Sequence, residues 1–221
     1  VSTQSTGCEE CPVCYQDVEY CLQRGRLGEK ELQIEINKEG LDDVLKKYNV
    51  GITVQQALDA EEGQIINGCL ILKEEHYEAE SFKGRNDFES VFAMRLRHVA
   101  KEMFALVDNL ITAIMPGAVG AMGASFCLTC LQNCFFPKLE RINQFAFQKC
   151  KIEQLNTQNF PAVQFIGEQG FQNCPISSVC LPRLKSVDCN GFVGCTKLKW
   201  FSAQQLEEVG NSCFSNCSQL Q

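Results

Sequence analysis

The sequence predicts a solenoid: units of about 22 residues, each giving one short β-strand and little helix, behind a Cys-rich N-terminal segment of α+β character. Three observations predict it. Apolar residues recur in fixed columns through the second half. Prolines punctuate the units. Charge divides the chain in two. Residues 1–90 hold nineteen acidic and nine basic residues, while residues 91–221 hold eight and eleven. The predicted organisation is residues 1–25 as a Cys-rich segment, 26–90 as an acidic capping region and 91–221 as the solenoid.

Composition excludes several classes. Hydrophobic residues make up 45% and charged residues 21%, which is globular usage and rules out a wholly disordered chain. A net charge of −7 gives no basic footprint for nucleic acid. Fifteen Cys against two His point to an oxidising, extracellular or cell-surface setting. Fifteen is odd, so one thiol at least stays free or pairs between chains. Val1 is followed by no basic stretch and apolar run, which suits a mature secreted product or a trimmed piece. The uncharged stretch between Asp108 and Lys138 is long enough to span a membrane. It contains Pro116, Gly117, Gly120 and Gly123, however, and the repeat accounts for it. No membrane-spanning segment is expected.

At the N-terminus, Cys8, Cys11, Cys14 and Cys21 form a tight cluster. Three arrangements fit it: two local disulfides, bridges to the body such as to Cys69, or metal ligation. Structural zinc prefers two well-separated pairs, and the spacing of the fourth thiol departs from a ferredoxin run. The expectation is disulfides with no metal and no cofactor. Leu32–Ile36 and Ile65–Leu72 read as strands. Leu41–Tyr48, with Asp42 and Asp43 early and Lys46 and Lys47 late, reads as a dipole-matched helix, and Val54–Ala60 as another. Glu74–Val91 reads as a degenerate unit with Phe82 in the Phe column, although its acidic run (Glu74, Glu75, Glu78, Glu80) argues against a regular one. This region is expected to cap the first strand of the solenoid.

Six units follow, starting at Leu96, Val119, Leu139, Val163, Leu184 and Leu206. Three positions on stand Val99, Met122, Ile142, Ile166, Val187 and Val209. Eight on stand Phe104, Cys127, Phe147, Phe171, Phe192 and Phe214, and eleven on Val107, Cys130, Cys150, Cys174, Cys195 and Cys217. The fourth position (Ala100, Gly123, Asn143, Gly167, Asp188, Gly210) is rich in turn formers that tolerate positive φ or cap a turn. Pro116, Pro137, Pro161 and Pro182 stop a strand just before four of the six units. The predicted strands are Leu110–Met115, Ile152–Asn156, Ile176–Leu181 and Leu198–Ser202. Six units stacked at roughly 4.8 Å per strand give a face of about 25–30 Å.

The unit reading VQFIGEQGFQNCPISSVCLP and the closing LEEVGNSCFSNCSQL resemble the leucine-rich repeats of the BspA-like surface-protein family. The resemblance covers about residues 88–221. It departs at Cys127, where Phe is expected and where Phe126 fills the column if one residue is deleted. It departs again at Val107, where Cys is expected, and the Ala of the Ala-Phe pair survives only at Ala146. It implies a leucine-rich repeat solenoid, a bacterial or protozoan surface, adhesion or protein binding, and no catalytic residues.

Cys130, Cys150, Cys174, Cys195 and Cys217 are expected as one column of buried free thiols, since Cys packs as a small hydrophobe. Off-column Cys127, Cys134, Cys180, Cys189 and Cys213 are the disulfide candidates, with Cys189–Cys213 the chosen pair. Asn216-Cys217-Ser218 is a glycosylation sequon, although the place of Asn216 beside the Cys column favours a structural role. His76 and His98 have no partners at ligand spacing. Gly117, Gly120 and Gly123 do not make a nucleotide loop, and the pairs Glu61–Glu62 and Glu207–Glu208 read as solvated surface. No enzyme activity is expected. The predicted function is binding of a protein or glycan through the strand face, with Glu153, Ser177, Ser178, Lys197 and Lys199 as its candidate residues. The alternative is a structural subunit that self-assembles by edge contacts. The chain ends at Gln221, four residues past Cys217, which suggests a continuation or an assembly contact.

Overall fold

The computed structural model describes residues 38–221, so the strand expected at Leu32–Ile36 and the cluster Cys8, Cys11, Cys14 and Cys21 lie outside the described residues. Two helices come first, α1 (Lys38–Lys47) and α2 (Val54–Asp59). α2 opens on a capping box: the Thr53 hydroxyl accepts from the Gln56 amide while the Gln56 side chain accepts from the Thr53 amide. The span read as one strand, Ile65–Leu72, is a hairpin. β1 (Ile65–Ile66) pairs antiparallel with β2 (Cys69–Leu72). Asn67 and Gly68 turn between them at φ 49° and 75°, the doubly positive turn that Asn-Gly favours.

Two strand ladders follow, where one strand per unit was expected. On one side lie the longer strands β3 (Ser90–Ala93), β5 (Thr112–Ile114), β7 (Asn133–Phe135), β9 (Gln154–Leu155), β11 (Ser178–Cys180) and β13 (Trp200–Ser202). They form a sheet in the order β1-β2-β3-β5-β7 and a separate sheet in the order β13-β11-β9. The four predicted strands coincide with β5, β9, β11 and β13. The second ladder was not anticipated. It consists of two-residue strands: β4 (His98–Val99), β6 (Gly120–Ala121), β8 (Arg141–Ile142), β10 (Phe165–Ile166), β12 (Ser186–Val187) and β14 (Glu208–Val209). All six are parallel and in register. A two-residue strand has no periodicity to read. It exists because the neighbouring unit supplies its partner.

The core is the interior between these ladders. Phe82, Phe104, Phe126, Phe147, Phe171, Phe192 and Phe214 stack in one column, with ring centroids 5.1–5.7 Å apart and planes within 11°. Phe82 joins it, so the Glu74 unit is real. Phe126, not Cys127, is the ring of the second unit. The predicted register slips by one there: Ala121, not Met122, pairs with Val99 and Ile142, and the unit starts at Ala118 rather than Val119. The corrected starts are Glu74, Leu96, Ala118, Leu139, Val163, Leu184 and Leu206. The column assigned to Cys130 belongs to Thr129, which is buried while Cys130 is half-buried. Burying a Phe contributes roughly 1.5–3 kcal/mol, and favourable ring pairs add about 0.5–1.5 kcal/mol.

Positive φ falls on the sixth and tenth positions of the unit rather than on the turn formers of the fourth. The sixth is Glu80, Glu102, Ala124, Phe145, Gln169, Asn190 and Ser212; the tenth is Gly84, Leu106, Leu128, Lys149, Asn173, Gly194 and Asn216. Left-handed backbone turns these N–H groups along the stack. Phe145 donates to Glu168 O, Lys149 to Gln172 O, Gln169 to Cys189 O and Asn173 to Val193 O. Between them the Phe donates too, as Phe147 does to Gly170 O. These bonds offset the cost of left-handed non-Gly residues. Glycine at the fourth position answers crowding instead: a Cβ on Gly210 would lie 2.3 Å from the Cys189 nitrogen.

The helices lie on the outer side of the longer strands, rather than only at the end of the stack. Leu41, Leu45, Val50, Ile52, Val54, Ala57 and Ala60 pack against Cys69, Ile71, Phe92 and Ile114, with Tyr48 and Phe135 at the margin.

Candidate binding face

Strand register sorts the side chains of the longer ladder into rows. Leu70, Val91, Ala113 and Cys134 point into the core, as do Leu155, Val179 and Phe201. The residues on either side of them face outward, since successive strand residues alternate. One outward row is Ile71, Phe92, Ile114 and Phe135 in the first sheet, then Cys180 and Ser202 in the second. The other is Cys69, Ser90, Thr112 and Asn133, then Gln154, Ser178 and Trp200. The helices cover the first sheet. On β9, β11 and β13 the outward residues are polar apart from Cys180 and Trp200.

Of the predicted face residues only Ser178 lies within a strand of this second sheet, while Glu153, Ser177 and Lys199 each stand one residue before one. The backbone amide of Ser177 donates to Glu153 O and that of Lys199 to Ser177 O, so Glu153, Ser177 and Lys199 form one row at the strand starts. The Ser177 hydroxyl also donates to Glu153 O at 3.0 Å. Ser178 stands in the outward row between Gln154 and Trp200 and is only 7% exposed. Lys197 and Lys199 are both exposed, Lys197 lying outside the strand. Sequence reasoning missed Trp200, the chain's single Trp. The available signal was an aromatic one residue before the core Phe201.

A cleft of about 280 Å³ opens between β7 and β9, at the border of the helical cover. Its lining includes Lys47 and Tyr48 from the end of α1, Gln132, Asn133 and Cys134 from the β7 side, and Glu153, Gln154 and Gln158 from the β9 side. The cause is legible in the spacing. The unit starting at Leu139 runs 24 residues to Val163, against 21 or 22 for the others. The surplus forms the turn 156–160. There the Asn159 side chain donates to Gln154 O at 2.8 Å and accepts from the Asn156 amide at 2.8 Å. Lys47 Nζ donates to Gln158 Oε1 at 2.9 Å. Burial, with a lesser contribution from Cys134, pushes the Tyr48 hydroxyl up to about 12.

The cysteine column has a regular bonding pattern. Cys150 Sγ donates to Phe126 O (3.1 Å), Cys174 to Phe147 O (3.0 Å), Cys195 to Phe171 O (3.2 Å) and Cys217 to Phe192 O (3.2 Å). Each thiol thus ties to the carbonyl of the Phe one unit back. Thr129 takes the equivalent place in its own unit, with its hydroxyl 3.3 Å from Cys150 Sγ. Burial pushes Cys150 and Cys195 up to about 12 and raises Cys174 and Cys217 as well. No disulfide joins the described cysteines. Cys189 stands at the fifth position of its unit and Cys213 at the seventh of the next. Cys213 lies 3.6 Å from where a Cβ on Gly191 would be, two positions along from Cys189. Asn216 is exposed, on a left-handed turn.

Among the described residues no group of three or more His, Cys, Asp or Glu could hold a metal ion. His76 and His98 sit exposed and apart. Among the same residues no helix is long and apolar enough to cross a membrane.

Comparison with known proteins follows the same lines. Residues 123–221 match the model of the BspA type leucine rich repeat region in six copies. A leucine rich cell surface protein from Faecalibacterium prausnitzii A2-165 is similar in structure at a TM-score of 0.32 and 18% identity. The match covers 65% of this chain and spans 61% of that one. No curated protein matches. The Phe column and the two parallel ladders agree with this likeness of residues 123–221 to the BspA type leucine rich repeat region.

Proposed function

We propose that this is an extracellular or cell-surface repeat protein that binds a protein or a glycan, without catalysis, through the open strand face of β9, β11 and β13. The observation that carries the reading is the change in the outward row. It is large and apolar under the helices (Ile71, Phe92, Ile114, Phe135) and small beyond them (Cys180, Ser202), with Trp200 alongside. A half-buried Trp amid exposed polar groups is the composition that anchors protein interfaces. The likeness of residues 123–221 to the BspA type leucine rich repeat region supports the surface setting.

Purified protein is screened against extracellular-matrix proteins and a glycan array, and hits are titrated by isothermal calorimetry, which reads variants with and without the single Trp alike. Lys197→Glu with Lys199→Glu, and separately Trp200→Ala, should weaken binding at least tenfold with an unchanged melting curve. Binding that survives both variants removes this face from consideration. Protease shaving of intact cells checks the location; an epitope that stays protected contradicts it.

A further inference from the structure

We propose that the outer face of the second ladder, from β4 to β12, binds a linear acidic polysaccharide laid along the stack. This does not rest on the strand-face reading above, since the two faces share no residue.

The first ground is where the charge sits. Residues 91–221 hold eleven basic residues, and six of them stand on this face: Arg95, Arg97, Lys138, Arg141, Arg183 and Lys185. Strand register puts His98, Gly120, Arg141, Phe165, Ser186 and Glu208 in one row. Their neighbours Val99, Ala121, Ile142, Ile166 and Val187 are buried, so this row faces outward. The row before it contains Arg97 and Lys185. Val119 donates to Arg97 O, Glu140 to Val119 O, Gln164 to Glu140 O and Lys185 to Gln164 O. Arg95, Lys138 and Arg183 each stand one residue before a unit start and make a bordering row, where Gly117 lies against the Arg95 backbone.

The second ground is spacing. The starts Leu96, Leu139 and Leu184 are each flanked by two of the six, and the intervening starts Ala118 and Val163 by none. Positive charge therefore returns every second rung, at roughly 9.6 Å. That is about the length of a disaccharide, the repeat at which such a polysaccharide presents its carboxylates or sulfates. The floor between the charged rungs is low. A Cβ on Gly120 would lie 2.9 Å from His98 Nδ1. Beyond the fifth rung the same two rows continue with Glu207 and Glu208, which repel an anion and end the stripe. The stripe spans about 19 Å, so three successive disaccharides fill it.

The third ground is that the charges are unspent. The ion pairs among the described residues join Lys83 to Glu80 and Glu102, Arg85 to Asp87, and Lys101 to Glu102. None involves these six, although Glu140 stands between Lys138 and Arg141 in sequence. Five of the six are exposed and Arg183 is half-buried. Like charges gathered on one face repel one another, and a bound polyanion relieves that repulsion. The Arg141 guanidinium lies 4.4 Å from the Phe165 ring centroid. Stacking orients it and leaves its in-plane donors for a carboxylate or sulfate.

Shape narrows the occupant. β6, β8, β10 and β12 are paired on both edges, so no peptide main chain can add there. Recognition is left to charge at a fixed interval. Duplex DNA presents a charge about every 1.7 Å of its axis, far denser than this stripe.

The probes are chondroitin sulfate and hyaluronan cut to defined lengths, titrated into the whole chain by calorimetry. Affinity should rise from disaccharide to hexasaccharide, level off beyond it, and fall with added salt. Lys138→Glu with Lys185→Glu, checked by its melting curve, should lower affinity at least tenfold. Arg97→Gln with Lys138→Gln is a milder second pair and should lower it too. Lys197→Glu with Lys199→Glu reverses as many charges on the other face and should leave affinity within twofold. Equal losses from the two reversed pairs would mean attraction to net charge alone and overturn the proposal. So does failure of both polysaccharides to bind, or equal binding of chondroitin stripped of sulfate and carboxylate. Displacement by polyglutamate or single-stranded DNA at equal charge concentration overturns it as well, since the face would then read anions of any class.

Discussion

The two halves of the strand face share one register and one kind of inner row, yet differ in what lies outside. Under β2, β3 and β5 the outward Ile71, Phe92 and Ile114 meet Leu41, Leu45, Val50 and Ile52. On β11 and β13 the same row is Cys180 and Ser202. The inner row sets the solenoid. The outer row decides whether a strand recruits a second layer, because an apolar outward residue must be buried by something.

The largest expected effect comes from breaking the covered half. Phe92→Ala should cost about 3–5 kcal/mol, since the ring is buried between the sheet and the helices. Ser202→Ala, in the same row of the open half, should stay within about 0.5 kcal/mol. Chemical denaturation of both measures the contrast, and equal costs would remove the distinction between the halves.

Next comes the border itself. Asn159→Ala strips the carboxamide from Gln154 O and the Asn156 amide, and should cost about 1–3 kcal/mol. Faster exchange at the Asn156 amide should accompany it, and unchanged exchange would mean that Asn159 is not what closes that edge.

A third test sharpens the inner register common to both halves. Thr129→Ala should destabilise by about 1 kcal/mol, because its hydroxyl donates to Phe126 O at 3.0 Å and meets Cys150. Cys130→Ala, one residue on, should change stability by less than about 0.5 kcal/mol. The reverse order would restore the unslipped register.

The smallest effect at neutral pH is that of the thiol column. Burial lifts Cys150 and Cys195 to about 12 in the folded state, so folding favours the protonated thiols. Their contribution is fully present below the unfolded thiol pKa, near 8.5. It declines as pH rises from there and is lost as pH passes about 12. Melting temperature should therefore be level through neutral pH and fall between roughly pH 9 and 12. Native alkylation at pH 8 should spare Cys150, Cys174 and Cys195, and rapid labelling of any of them would contradict their burial.

How far the sequence alone could lead depended on how many residues carried each signal. The Phe column repeats seven times and was legible, and the strands ahead of the prolines were too. The slip at the second unit arose because Cys127 and Cys130 share the three-residue spacing of a true Phe–Cys pair. Only the aromatic Phe126 beside them breaks the tie. The second ladder escaped because its strands are two residues long and owe their form to their neighbours. The helical cover was written in strands apolar on both faces, such as Leu70-Ile71-Leu72 and Val91-Phe92, but that signal concerns contacts far apart in sequence. The cleft had one trace, a unit of 24 residues among units of 21 and 22.

The hydrogen bonds of the left-handed turns also constrain how such a chain can change in length. At the sixth, eighth and tenth positions each unit hands an N–H forward to the next. An inserted residue anywhere on that path would set every following donor against the wrong carbonyl. The stretch from the eleventh position to the next start carries the length variation, from ten to thirteen residues. The molecule thus has a selvedge that cannot tolerate an extra stitch and a loose side that can. New clefts and loops can enter this architecture only along the strand face, so diversification is confined to that side.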